Sequence, residues 1–340
     1  MFVLSSDITI GSFRFSGVNE VQITRSLHSI VETAVIRIPS IGRIIKNGQV
    51  TQQSIITGRQ FKEGDEVVIK LGYDNLLQTE FRGFVRTCNL DMPVAIECEG
   101  YSWLLRRNNT VAFYKSITIK ELLKKAIAGI EGHTIDLLCT VDFELTNVRI
   151  NNECGFDIIS KISSLTDGAI SCFFVKPDTL WCGIIYTPLA QSIDPFACGA
   201  VSYRLGYNML KENTLVVRDS SINPIEVQYT KKRANGAIIS LTSNVFPAAS
   251  RKYSKMLSSL NDNAAIARMA NEKAYKINYT GYEGSVTSFL QPYAAPGYIA
   301  MVQDGRYPER NGKYLVEGIE LSYGISGARR KVEIGARLGF

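Results

Sequence analysis

The chain has 340 residues and a mass of 37.7 kDa, a length that ordinarily holds about two or three domains and buries a core without disulfides or metals. Hydrophobic residues make up 45% and charged residues 21%, which excludes a disordered or fibrous chain. Basic residues exceed acidic ones by 38 − 32 = 6, too few to imply nucleic-acid binding alone, and two histidines, His28 and His133, exclude a His-rich metal site.

Residues 1–110 read as an all-β unit. Val67, Ile69, Leu71 and Tyr73 alternate with more polar neighbours, and Val94, Ile96 and Cys98 do the same, the period of half-buried antiparallel strands. A turn is expected at Gly72-Tyr73-Asp74-Asn75 before a strand over 79–87. The polar segment 40–61 has weak patterning and reads as a loop or short helix.

Residues 111–198 read as a small α+β domain. Ile119, Leu122, Leu123, Ala126, Ile127 and Ile130 form one helical stripe, with Thr118 and Glu121 as a capping box at its start. A second helix is expected over 153–166, then a hairpin of 169–175 and 180–186 turned at Lys176-Pro177-Asp178-Thr179. Residues 199–340 return to strands, interrupted by one helix over 263–277 with Ile266, Met269, Ala270, Ala274 and Ile277 on one face.

A faint repeat links the outer parts. Gly64-Asp65-Glu66-Val67 with Tyr73-Asp74-Asn75 and Phe81-Arg82-Gly83-Phe84-Val85 matches Gly297-Tyr298-Ile299-Ala300 with Asp304-Gly305-Arg306 and Tyr314-Leu315-Val316-Glu317-Gly318. Ordinary hairpins share these features, so the residues alone leave duplication open.

Cysteines stand at 88, 98, 139, 154, 172, 182 and 198, an odd number with no CxxC, which speaks for reduced, mostly buried thiols. The N-terminus lacks a basic region ahead of an apolar run, and no apolar run approaches membrane length. A soluble protein made in the cytoplasm is the expectation.

Chemical motifs fail on inspection. Gly305 to Gly312-Lys313 has the wrong spacing for a phosphate-binding loop and carries Tyr314 where Ser or Thr belongs. Gly324-Ile325-Ser326-Gly327-Ala328 resembles a nucleophile elbow, but a strand follows it instead of a helix, so a turn is expected. Glu97 and Glu99 could share a strand face, and Cys154 with His133 could form a dyad, yet no local context supports either as catalytic. Basic clusters at Arg106-Arg107, Lys231-Lys232-Arg233 and Arg329-Arg330-Lys331 read as solvated ends or as contacts.

The stretch Phe61–Tyr73, continued by Phe81–Val85 and Ile96–Leu105, resembles the first barrel of the baseplate hub proteins of contractile-tailed phages. That family includes the late control protein D type and the N-terminal half of type VI VgrG spikes. The capped helix after Thr118, the helix and hairpin over 152–185, and the closing Gly312–Val316 and Arg329–Gly335 recur in the same order.

The resemblance implies a mainly β fold of two tandem β-barrels separated by an α+β insertion. It also implies a non-enzymatic homotrimer whose six barrels form a ring between tail tube and spike. VgrG-type chains continue into a spike, so a separate spike protein is the implied partner, beside the tail tube protein. DNA or an effector could pass the lumen, with no membrane insertion and no cofactor. Assembly into a virion tail or contractile injection particle follows. Arg329, Arg330 and Lys331 are the expected subunit or tube contacts. Two other classes remain: a carbohydrate- or cell-surface-binding β protein, for which Tyr293, Tyr298 and Tyr307 would be the exposed aromatics, and a tail-associated cell-wall hydrolase.

Overall fold

A computed structural model describes residues 3–46, 49–186, 199–210, 214–220, 223–232, 236–243, 245, 251–260 and 262–338. The chain is mainly β, and thirteen of its strands join in one hydrogen-bonded sheet. Its path runs Val216–Arg218, Gly281–Ser288, Gly327–Leu338, Gly312–Gly324, Glu20–Ser26, Thr33–Ile38, Val94–Glu99, Leu76–Asn89, Glu66–Tyr73, Leu4–Ile10 and Phe13–Phe15. Ile299–Gln303 branches from Gly312–Gly324 and carries Ala200–Arg204 in parallel on its far edge. First and last parts of the chain are thus stitched together, Gly318–Gly324 pairing with Glu20–Ser26. No closed barrel is found among the described residues.

The sheet contains two antiparallel meanders. The first consists of Glu66–Tyr73, Leu76–Asn89 and Val94–Glu99, and the second of Ile299–Gln303, Gly312–Gly324 and Gly327–Leu338. Their backbone frames match. In the first, Gly64 N–H donates to Val85 O at 2.8 Å and Val85 N–H returns to Asp65 O at 2.9 Å. In the second, Gly297 N–H donates to Val316 O at 2.9 Å and Val316 N–H returns to Tyr298 O at 2.8 Å. Both glycines hold positive φ, 88° and 93°, a backbone that disfavours any side chain. A register shift follows each valine, between Val85 and Thr87 and between Val316 and Gly318.

Among the described residues three α-helices form a separate layer. Helix α1 (Ile119–Ile127) starts on the expected capping box: Glu121 N–H donates to Thr118 Oγ1 at 3.2 Å, and Thr118 N–H to the Glu121 carboxylate at 3.4 Å. Helix α2 (Gly155–Leu165) starts where Cys154 N–H meets Asp157 Oδ2 at 3.1 Å. Helix α3 (Asn263–Ile277) is capped by Asp262. Leu122, Ile159, Met269 and Tyr229 belong to one hydrophobic cluster, so α3 and strand Ile225–Lys232 pack with α1 and α2. Packing therefore does not follow a linear cut near residue 199. No helix among the described residues is long and apolar enough to cross a membrane.

One local expectation is corrected. The segment 40–61 is neither loop nor helix for most of its length. Strands Ile41–Lys46 and Gln49–Ile56 pair as a two-stranded ribbon, and a single 3₁₀ turn, Thr57–Gln60, follows. Residues ahead of α2 form a long strand, Glu144–Cys154, paired with Asn109–Thr118. The hairpin of the middle region is present as Ser171–Lys176 and Thr179–Gly183.

Candidate functional site

The strand Gly327–Leu338 places alternate side chains on opposite sides, and Ala328, Arg330, Val332 and Ile334 share the buried row. Arg330 is 0% exposed, so its guanidinium offers no surface to another subunit, which corrects the expectation for this residue. It is satisfied within the chain instead. Nη2 meets Glu80 Oε1 at 2.7 Å, Nη1 donates to Ala294 O at 2.9 Å, and Nε donates to Leu290 O at 3.3 Å. The guanidinium also lies 4.9 Å from the Tyr293 ring centre. A buried cation costs several kcal/mol unless paired and hydrogen-bonded, about the situation built here.

The pair joins the two meanders, since Glu80 lies on Leu76–Asn89 and Arg330 on Gly327–Leu338. Burial pushes the Glu80 carboxyl above the ordinary carboxylate range, while the Arg330 and Arg25 charges pull the other way. A second buried pair stands beside it, Arg25 Nε to Glu32 Oε1 at 2.7 Å, and Tyr293 touches Arg25 as well. Glu80, Arg25, Glu32, Tyr293 and the Lys176-Pro177-Asp178 turn border a cavity of about 440 Å³ where first strands, middle hairpin and closing segment meet. Chemically the arrangement is a clamp: each cation is held by a carboxylate from another part of the chain.

The flanking residues differ. Arg329 donates to Ala328 O at 2.8 Å and lies 5.1 Å from the Phe289 ring centre, and Lys331 meets Glu320 at 3.0 Å in a solvent-exposed pair. Both keep part of their surface open. At the other basic clusters, Arg106 and Arg107 are exposed, Lys231 is buried and Lys232 exposed, while Arg233 lies outside the described residues.

The remaining candidates stay apart. Glu97 accepts from Asn89 at 3.3 Å, whereas Glu99 is buried and accepts from Ser102 at 2.7 Å and Arg106 at 3.0 Å. Cys154 Sγ bonds Asp157, and His133 instead packs its ring on Phe84 and Tyr101. Ile325 and Ser326 form the tip of a tight turn between paired Gly324 and Gly327, not an elbow. Residues 304–311 connect two paired strands as a hairpin loop. Tyr293 and Tyr298 meet edge to face at 5.7 Å, and Arg310 covers Tyr307 at 4.1 Å, so these rings do not form one exposed platform. Six described cysteines are free; Cys172 and Cys182 face each other across their hairpin with sulfurs 3.1 Å apart, and Cys198 lies outside the described residues.

Sequence reasoning missed Glu80, Arg25 and Glu32 as partners. The signal for Arg330 was present in the parity of Ala328, Val332 and Ile334 around it, which places it on the inner row. Nothing local marks Glu80, because its partner lies 250 positions away.

No family model and no curated protein matches the chain. Solved structures do. A tail protein from Neisseria meningitidis MC58 superposes with a TM-score of 0.65 at 12% identity, covering 98% of this chain and 96% of that one. The 43 kDa tail protein of prophage MuSo2 from Shewanella oneidensis gives 0.62 at 11%, covering 98% of both chains. The E. coli c3393 protein, a type VI secretion component with structural similarity to T4 tail proteins gp27 and gp5, gives 0.57 at 12%, covering 98% of this chain and 78% of that one. The fold is therefore that of phage tail proteins and of the related type VI secretion components, along nearly the whole chain.

Proposed function

We propose that this protein is a structural baseplate or tail hub, a homotrimer whose subunits each contribute two tandem barrel-like β units to a pseudo-six-fold ring. One observation carries the reading: the same hydrogen-bond frame occurs twice, at Gly64 and Val85 and again at Gly297 and Val316. Two equivalent units per subunit are what a three-subunit ring needs to meet a six-fold tube. Cyclic closure uses one heterologous interface repeated around the axis.

The ring would sit between a tail tube protein and a separate trimeric spike, in a virion tail or contractile injection particle made in a bacterial cytoplasm. DNA or an effector would pass through its lumen. The protein works by contact and performs no reaction. Arg329 and Lys331 are the members of the basic cluster with surface left for a neighbouring subunit or the tube.

Light scattering and negative-stain microscopy of the purified chain test this. Particles of three subunits with six lobes around a hole are expected. A monomer that stays monomeric at high concentration and in the presence of its tube and spike proteins would sink the reading.

A further inference from the structure

A second polar cavity has a lining of its own. It measures about 420 Å³ and is lined by Glu63, Arg86, Glu99, Trp103, Arg106 and Arg107. The 3₁₀ turn Tyr101–Arg106 builds it, burying Trp103 while projecting Arg106 and carrying on into Arg107. Arg106 is occupied, with Nε on Glu99 Oε1 at 3.0 Å and its guanidinium 4.0 Å from the Phe156 ring centre. Arg107 stacks on Trp103 at 3.8 Å. Among the described residues neither Arg107 nor Arg86 has a carboxylate partner, which leaves two exposed guanidinium groups against Glu63 on the rim.

The acidic member is unusual. The Glu99 side chain is 1% exposed, and while Oε1 takes Ser102 and Arg106, the buried Oε2 has no partner among the described residues. Leaving a buried carboxylate oxygen unpaired is costly. The unpaired guanidinium groups thus ask for an anion, which the side-chain carboxylate of an acidic peptide segment supplies.

We infer that this cavity is a docking socket for an acidic segment of a partner protein, which sets its carboxylate on Arg86 and Arg107. Planar guanidinium groups read carboxylates through paired hydrogen bonds, and Arg with Trp is the composition of interface hot spots. Nucleic acid fits less well. Single strands are held by stacking bases on open aromatic faces, but Phe84 stacks on Trp103 at 5.1 Å and Arg107 is stacked on it at 3.8 Å. The socket needs no ring, and its test uses the chain alone.

The probe is a blocked tetra-glutamate peptide titrated at low ionic strength, read by tryptophan fluorescence and independently by calorimetry. Saturable binding is expected, absent for blocked tetra-glutamine. Arg86→Gln, which leaves the Arg107–Trp103 stack in place, is expected to weaken it at least tenfold, and Arg107→Gln likewise by calorimetry. Lys124→Gln, the same charge change at an exposed site on α1, is expected to leave it unchanged. Three results would overturn the inference. They are no saturable binding to the folded chain, equal affinity in Arg86→Gln, or oligothymidylate of equal charge binding as tightly as the peptide.

Discussion

In the first meander, Asp74 and Asn75 turn the chain in two residues, both at positive φ (50° and 63°), as a tight primed hairpin turn requires. In the second, residues 304–311 span the same gap through a 3₁₀ turn, Pro308–Arg310. The longer loop satisfies itself: Asp304 accepts from Arg306 N–H at 2.8 Å and Tyr307 N–H at 3.2 Å, and Asn311 accepts from Asp304 N–H at 2.6 Å. The flanks differ too, since Leu4–Ile10 joins the first meander antiparallel and Ala200–Arg204 joins the second in parallel. What both keep is the glycine entry and the bulge after the valine. Backbone groups make that frame, so it tolerates almost any side chain outside the glycine. Turn and flank are free to diverge.

The joint between the two meanders gives the largest expected effect. Arg330→Ala leaves Glu80 buried and uncompensated, a change on the order of 3–5 kcal/mol in a urea titration. Replacing both together, Glu80→Gln with Arg330→Met, should recover much of the loss; no recovery would mean that the pair is not what couples the meanders.

Next come the entry glycines. Gly64→Ala and Gly297→Ala should each cost about 1–2 kcal/mol if both positions need the left-handed backbone. Gly64→Ala should cost more, because a Cβ there would stand 2.9 Å from the Trp103 ring. A neutral outcome at either site, measured by thermal melting, breaks the equivalence.

The helical layer supplies a contrast, since its buried acid lies in neither meander. Burial drives the Glu272 carboxyl up to about 8, against the pull of Lys276 and Lys273 and with a push from Asp167. Asp167 itself is held below the ordinary range by Lys255, Tyr253 and Tyr229, which offset its burial. The folded state keeps the Glu272 proton where the unfolded chain has released it. Stability from this group is present in full below the ordinary carboxylate range and is lost as pH rises towards about 8. Glu272→Gln should flatten that slope in pH-dependent denaturation, and an unchanged slope would place the titration elsewhere.

The smallest effect on folding belongs to Lys331. Its pair with Glu320 is solvent-exposed, so Lys331→Gln should change stability by less than about 1 kcal/mol. A clear loss of the proposed trimer by sedimentation, at unchanged stability, would set Lys331 apart from its neighbour Arg330.

Local signals were legible where one face of an element is buried. The stripe of α3 and the Thr118–Glu121 cap stand in the residues because each needs only neighbours within the same helix. The ribbon of Ile41–Lys46 and Gln49–Ile56 left no such trace: Ile41, Ile45 and Ile56 are exposed, so no buried face imposes a period. Strand Asn109–Thr118 misleads similarly, because Val111 and Phe113 point outward. At the candidate site, charge concealed position. Arg330 looked like surface because arginine is rarely fully buried unpaired, and its partner cannot be found without the tertiary fold.

The pairing of Glu20–Ser26 also sets a timetable for synthesis. One edge of that strand meets Thr33–Ile38, translated almost at once, but the other waits for Gly318–Gly324. At about 5–20 residues per second, roughly 300 intervening residues leave this edge uncovered for on the order of 15–60 s on the ribosome. Until then the nascent chain carries a bare strand edge whose native partner has not been translated, and pairing between neighbouring nascent chains competes with completion of the fold.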